Sequence, residues 1–118
     1  MQLKFLITGC HGDLAFSIAQ IIKKNFKKAK ILGTDIETNG IGNVIFDEIY
    51  KVPRVNSSRY FDEILKISKS VNVIIPSTEK EILATENEIT YLESIHENYF
   101  IGMNVFRTAK GGRNKISA

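Results

Sequence analysis

The residue types best suited to chemistry fall in two short segments. The first is TGCHGDLA, residues 8–15. Gly9 permits a tight turn, Gly12 lets backbone or a ligand approach closely, and Ala15 keeps a following helix near its preceding strand. A helix opening at this point presents unpaired N–H groups, which favour an anion such as a phosphate or carboxylate. Gly9, His11, Gly12, Asp13 and Leu14 are therefore candidate ligand contacts. Each has a plainer reading: the glycines turn the chain, Asp13 complements the helix dipole, and His11 sits in solvent. The second segment is PSTEKE, residues 76–81. There Ser77, Thr78, Glu79 and Glu81 could line a substrate site, with Glu79 or Glu81 holding an amine. Thr78 followed by Glu81 is equally a capping box opening a helix. Asp35 closes the run KILGTD, where a dinucleotide fold holds the adenosine ribose; a turn aspartate would look the same.

Several chemistries are excluded by what the motifs lack. There is no Gly-x-x-x-x-Gly-Lys-Ser/Thr phosphate loop, and Tyr91 and Lys110 do not form a Tyr-x-x-x-Lys pair. Cys10 is the sole cysteine, which rules out an internal disulfide or a cysteine-rich zinc site and predicts a packed thiol. His11 and His96 are too few and too far apart to suggest a metal site.

The elements that must position these segments alternate strand and helix. Residues 3–8 read as a buried strand. Leu14, Ile18, Ile21, Ile22 and Phe26 follow as one helical stripe, closed by Lys23, Lys24, Lys27 and Lys28. Residues 30–34 are a second strand and 44–46 a candidate third, while 47–54, containing Pro53, read as an extended connection. Ser57 and Ser58 are candidate caps for a helix carrying Phe61, Ile64, Leu65 and Ser68. Residues 71–75 are the clearest strand. A helix opens near Glu79 with Ile82, Leu83, Ile89 and Leu92, and 99–106 is a candidate last strand. This order predicts an α/β, Rossmann-like three-layer αβα fold with a mostly parallel sheet of four or five strands. In such a sheet ligands bind beyond the carboxyl ends of the strands, so both turns should flank one crevice.

With 118 residues the chain is one domain by size. It divides into a body, 1–106, and a basic tail, 107–118, predicted to be poorly ordered. The net charge is +3, but Arg107, Lys110, Arg113 and Lys115 lie in that tail, leaving the body close to neutral. That distribution argues against a nucleic-acid partner. No run of apolar residues is long enough for a membrane span, and the absence of a leader pattern makes the cytoplasm the expected location.

Five pieces taken together, LITGCHGDLAFSIAQII (6–22), ILGTDIE (31–37), DEIYKVPR (47–54), YFDEILKI (60–67) and VIIPSTEKEI (73–82), resemble the N-terminal, pre-ATP-grasp domain of ATP-grasp ligases. This domain is also described as biotin-carboxylase N-terminal-like. The pattern is similar to that of carbamoyl-phosphate-synthase-like and other carboxylate–amine ligases. The resemblance implies a domain that packs against a separate ATP-grasp domain and supplies part of the site for the carboxylate or acceptor substrate. Gly12 and Asp13 match the family's glycine-acidic loop, and Glu79 and Glu81 its acidic turn. Alanine stands at position 15 where the family usually has glycine. ATP and magnesium are expected only with the ATP-grasp domain, so no cofactor and no catalytic residue are assigned to these residues, and the chain alone should not ligate. The implied partners are that domain, a small-molecule substrate and, through the apolar surface left without the other domain, further copies of the chain. An NAD(P)-binding domain of epimerase or dehydrogenase type, resting on TGCHGDLA and Asp35, and a non-catalytic self-associating module are the competing readings.

Overall fold

The computed structural model describes residues 2–86. The elements run β1 (Lys4–Thr8), α1 (Asp13–Asn25), β2 (Lys30–Asp35), a 3-10 turn (Ile41–Val44), β3 (Glu48–Lys51), α2 (Tyr60–Ser68), β4 (Val73–Ile75) and α3 (Glu79–Glu86). The strands form one sheet in the order β3-β2-β1-β4, and every pair is parallel. The Rossmann-like α/β architecture predicted from the sequence is the one adopted. The candidate strand at 99–106, the helix positions Ile89 and Leu92, and the tail lie outside the described residues.

Alternation along the strands builds two cores. Leu6, Leu32 and Ile74 face α2 and pack with Val52, Tyr60, Ile64 and Val71. Phe5, Ile7 and Ile31 face the other way and pack with Ala15, Ala19 and Ile22 of α1. Helices thus cover both faces, because the strands are apolar on both. Each fully buried Leu or Ile contributes about 1.5–3 kcal/mol.

The apolar stripe predicted for α1 is corrected. Leu14 is 56% exposed, Ile21 61% and Phe26 47%, whereas Ala15, Ala19 and Ile22 are buried. Small residues at i and i+4, Ala15 and Ala19, let the helix lie close to the sheet, with Ile22 and Ile18 of the stripe packing there and Leu14, Ile21 and Phe26 left at its flank. The third strand also moves. Residues 44–46 are not a strand; Gly42 O accepts from Phe46 N at 2.9 Å, closing the 3-10 turn, and Phe46 is buried as an anchor. Pairing with β2 begins at Glu48, opposite Leu32. Asp47 prepares that start, its Oδ2 accepting from Ile31 N at 2.7 Å. Ahead of α2, Ser57 acts through a turn, its Oγ accepting from Arg59 N at 3.1 Å, and neither serine is the cap residue.

Candidate functional site at the carboxyl edge of the sheet

The strand order reverses direction at β1, whose neighbours are β2 and β4. A cleft of about 630 Å³ opens there, beyond the carboxyl ends of the strands. Gly9, His11 and Gly12 of the first turn line it together with Asp35 at the end of β2 and Thr78 and Glu81 after β4. The glycine turn and the acidic turn therefore meet at one mouth.

Gly9 is the residue on which that meeting depends. Its φ is +64°, and a Cβ there would lie 2.5 Å from Thr78 Cγ2. Only glycine takes this conformation at such proximity without strain. Gly12 differs: an added Cβ would meet nothing nearer than Gly9 O at 3.4 Å. It opens α1 as the cap residue in an extended conformation, with no side chain capping the helix end.

Glu81 is 8% exposed, and its carboxylate is held by hydroxyls. Thr8 Oγ1 donates to Oε1 at 2.8 Å, Thr78 Oγ1 to Oε1 at 2.9 Å, and Tyr60 OH to Oε2 at 2.7 Å. The capping box read from the sequence is half present. Glu81 N donates to Thr78 Oγ1 at 3.2 Å, but the Glu81 side chain turns inward to β1 and α2. Ser77 is buried beneath the turn, with its Oγ donating to Thr8 O. Glu79 is exposed and, with Asp13, Leu14 and Ser77, is not among the residues lining the cleft.

Asp35 is likewise engaged from within. Its Oδ2 accepts from His11 N at 3.1 Å and its Oδ1 from Ile36 N at 2.7 Å. His11 is not the solvent-facing loop histidine considered from the sequence. Gly42 N–H donates to Nδ1 at 3.0 Å and Nε2 pairs with Glu37 O at 2.9 Å. These partners select the Nε2–H tautomer. The ring fits because a Cβ at Gly40 would come within 2.6 Å of it. Cys10 is fully buried, and burial, reinforced by the Asp35 carboxylate, pushes its thiol up to about 12. The donor atoms of Cys10, His11 and Asp35 all lie within 4.8 Å of one another. With the thiol protonated and the other donors already bonded, they act as a tie between the glycine turn, β2 and the 3-10 turn.

The cleft also contains residues the sequence did not single out as site residues. Val52, Pro53 and Val55, with Ile36, make an apolar wall on the β3 side. Arg54 and Lys80 bring two cations to it. The signal was available in part: VPR lies between the third strand and α2, a connection that ends at the same carboxyl edge. Under the floor, Thr34 is 0% exposed and its Oγ1 has no hydrogen-bond partner among the described residues.

A family model described as the PylC-like, N-terminal domain matches residues 5–104. The chain belongs to that family. It is the pre-ATP-grasp domain type found at the N-terminal side of ATP-grasp ligases. No curated protein matches the sequence. Among solved structures, the PylC-like domain is similar to dTDP-glucose 4,6-dehydratase from Bacillus anthracis str. Ames, crystallised in complex with NAD. The TM-score is 0.52 at 18% identity over 75% of this chain, which shows a shared fold. The match covers 34% of the dehydratase, so the PylC-like domain corresponds to about a third of that protein. No helix among the described residues is long and apolar enough to cross a membrane.

Proposed function

We propose that this PylC-like domain is the substrate-side half of an ATP-dependent carboxylate–amine ligase of the carbamoyl-phosphate-synthase-like kind. The half-site is the cleft where the Gly9 turn and the Glu81 turn meet, and the observation that carries the reading is the family match across residues 5–104. ATP and magnesium would be held by an ATP-grasp domain, in the same protein or in a partner. The cleft's own carboxylates do not fit magnesium, since Asp35 is bonded to backbone N–H groups and Glu81 to hydroxyls. This chain's part is to bind and orient the substrate, and ligation requires the other domain. The exposed Leu14 and Ile21 on α1 and Val44, 75% exposed, support a surface that docks another domain or a second copy. A cytoplasmic ligase is the setting this implies.

The test is ADP release. The chain by itself should release none from ATP. Together with the ATP-grasp region encoded after it or in a neighbouring gene, release should depend on both a carboxylate and an amine. ADP release by the isolated chain, or no ATP-grasp region in the gene neighbourhood, would overturn the proposal. The dinucleotide alternative asks Asp35, whose oxygens each already accept a backbone N–H, to receive a ribose diol as well. Micromolar binding of NAD or NADP in calorimetry would revive it.

A further inference from the structure

Two carboxylates and two cations line the cleft, and they differ in one respect. The carboxylates are engaged by the protein. Asp35 accepts from two backbone N–H groups, and Glu81 accepts from Thr8, Thr78 and Tyr60. Among the described residues the cations are in no ion pair. The ion pairs there are Lys23–Asp47, Lys30–Glu48, Arg59–Glu63 and Lys66–Glu63, and neither Arg54 nor Lys80 takes part. Glu81 is buried and already accepts from three hydroxyls, so little of its carboxylate is open to a substrate ammonium. A substrate anion would meet two cations that no described carboxylate pairs with.

We infer that the cleft grips its substrate by an anionic group, a carboxylate or phosphate, between Arg54 and Lys80, and not by an amine on the acidic turn. This rests on reading the cleft as the substrate-side half-site, and it narrows the substrate class. Arg54 comes from the connection after β3 and Lys80 from the first turn of α3, on opposite sides of the glycine turn. A guanidinium matches either anion with two parallel hydrogen bonds, while the lysine supplies a point charge. The uncapped start of α1 beside Gly12 adds a favourable dipole. The apolar wall of Ile36, Val52, Pro53 and Val55 takes the body of the molecule. The ligand is therefore an anion carried on an apolar frame.

Hexanoate, hexyl phosphate, hexylamine and hexanol, matched in their apolar chain, can be titrated into the isotope-labelled 118-residue chain while amide NMR shifts are followed. Hexanoate or hexyl phosphate should shift Gly9, Gly12, Ile36, Val55 and Lys80 saturably, and the stronger of the two identifies the anion. Hexylamine and hexanol should not. Arg54→Gln and Lys80→Gln should each weaken binding about threefold or more, as partly solvated charge contacts do, with the rest of the spectrum unchanged. Lys27→Gln, in the separate basic hollow near Asp47, should leave it unaltered. Equal or tighter binding of hexylamine, shifts confined to Lys23 and Lys27, insensitivity to both cleft variants, or no shifts at millimolar ligand would each overturn the inference. Failure of the ligase reading shows separately, as missing ADP release, and leaves these titrations untouched.

Discussion

Thr8 Oγ1 donates to Glu81 Oε1 at 2.8 Å, joining residues 73 positions apart in the sequence. Thr8 also stands opposite Thr34 in the β1–β2 register, so the two hydroxyls share one face of the sheet. One is bonded to a buried carboxylate; the other has no partner among the described residues. Thr8 Oγ1 also accepts from Ser77 N at 3.3 Å, so the pair compares a hydroxyl tied to Glu81 and Ser77 with one tied to neither.

Thr8→Val removes a donor from a buried carboxylate and should cost about 1–3 kcal/mol. Thr34→Val removes a hydroxyl that satisfies nothing and should be neutral or stabilising by up to about 1 kcal/mol. Urea unfolding followed by circular dichroism decides between them. Equal destabilisation by both would show that the Thr8–Glu81 bond carries no special weight.

Tyr60→Phe keeps the buried ring and deletes the OH that donates to Glu81 Oε2 at 2.7 Å. A hydrogen bond to a charged group is worth about 1.5–3 kcal/mol, and the unfolding free energy should fall by that amount, read as a lower urea midpoint with the slope unchanged. An unchanged midpoint would mean Glu81 is held well enough by Thr8 and Thr78.

Gly9→Ala should be the more damaging of two glycine substitutions. A positive φ costs a residue with a side chain about 1–2 kcal/mol, and the new Cβ would press on Thr78 Cγ2 at 2.5 Å, forcing the two turns apart. Gly12→Ala meets only Gly9 O at 3.4 Å and should cost far less. Reversal of that order in thermal melts would show that the turns do not meet as described.

The Cys10 thiol gives a pH dependence whose sign is fixed. Burial raises its folded value from 9.0 to about 12, so its contribution to stability is complete below 9.0 and is lost as the pH climbs towards 12. Stability should decline across that alkaline window, and Cys10→Ala should flatten the decline. Iodoacetamide at neutral pH should label the thiol only after unfolding; rapid labelling of the native chain would contradict the burial.

Much of the architecture was written in local pattern. The runs at 3–8, 30–34 and 71–75 are apolar on both faces, which suits a parallel sheet, and the turn residues between them mark where α1 and α3 open. The third strand was hidden because EIYK is short and half polar, and because the glycines of the preceding loop close a 3-10 turn through Phe46 that no periodicity announces. The α1 stripe misled for a related reason. Helical spacing selects large apolar residues, whereas close packing on the sheet selected Ala15 and Ala19.

The sequence alone determined the fold class, the family and the two turns at which a ligand site could form, because these follow from residue order and short-range chemistry. It did not determine the polarity of that site. By sequence Asp35, Glu79 and Glu81 are candidate ligand groups with equally plain turn or capping roles, and nothing there singles out Arg54 or Lys80. Only folding decided that Asp35 would face backbone amides, that Glu81 would be enclosed by hydroxyls from β1, from α2 and from its own turn, and that among the described residues the two cations lining the cleft would be left without an ion pair. Which charges find partners depends on contacts between residues far apart in the chain, and only the tertiary structure supplies those.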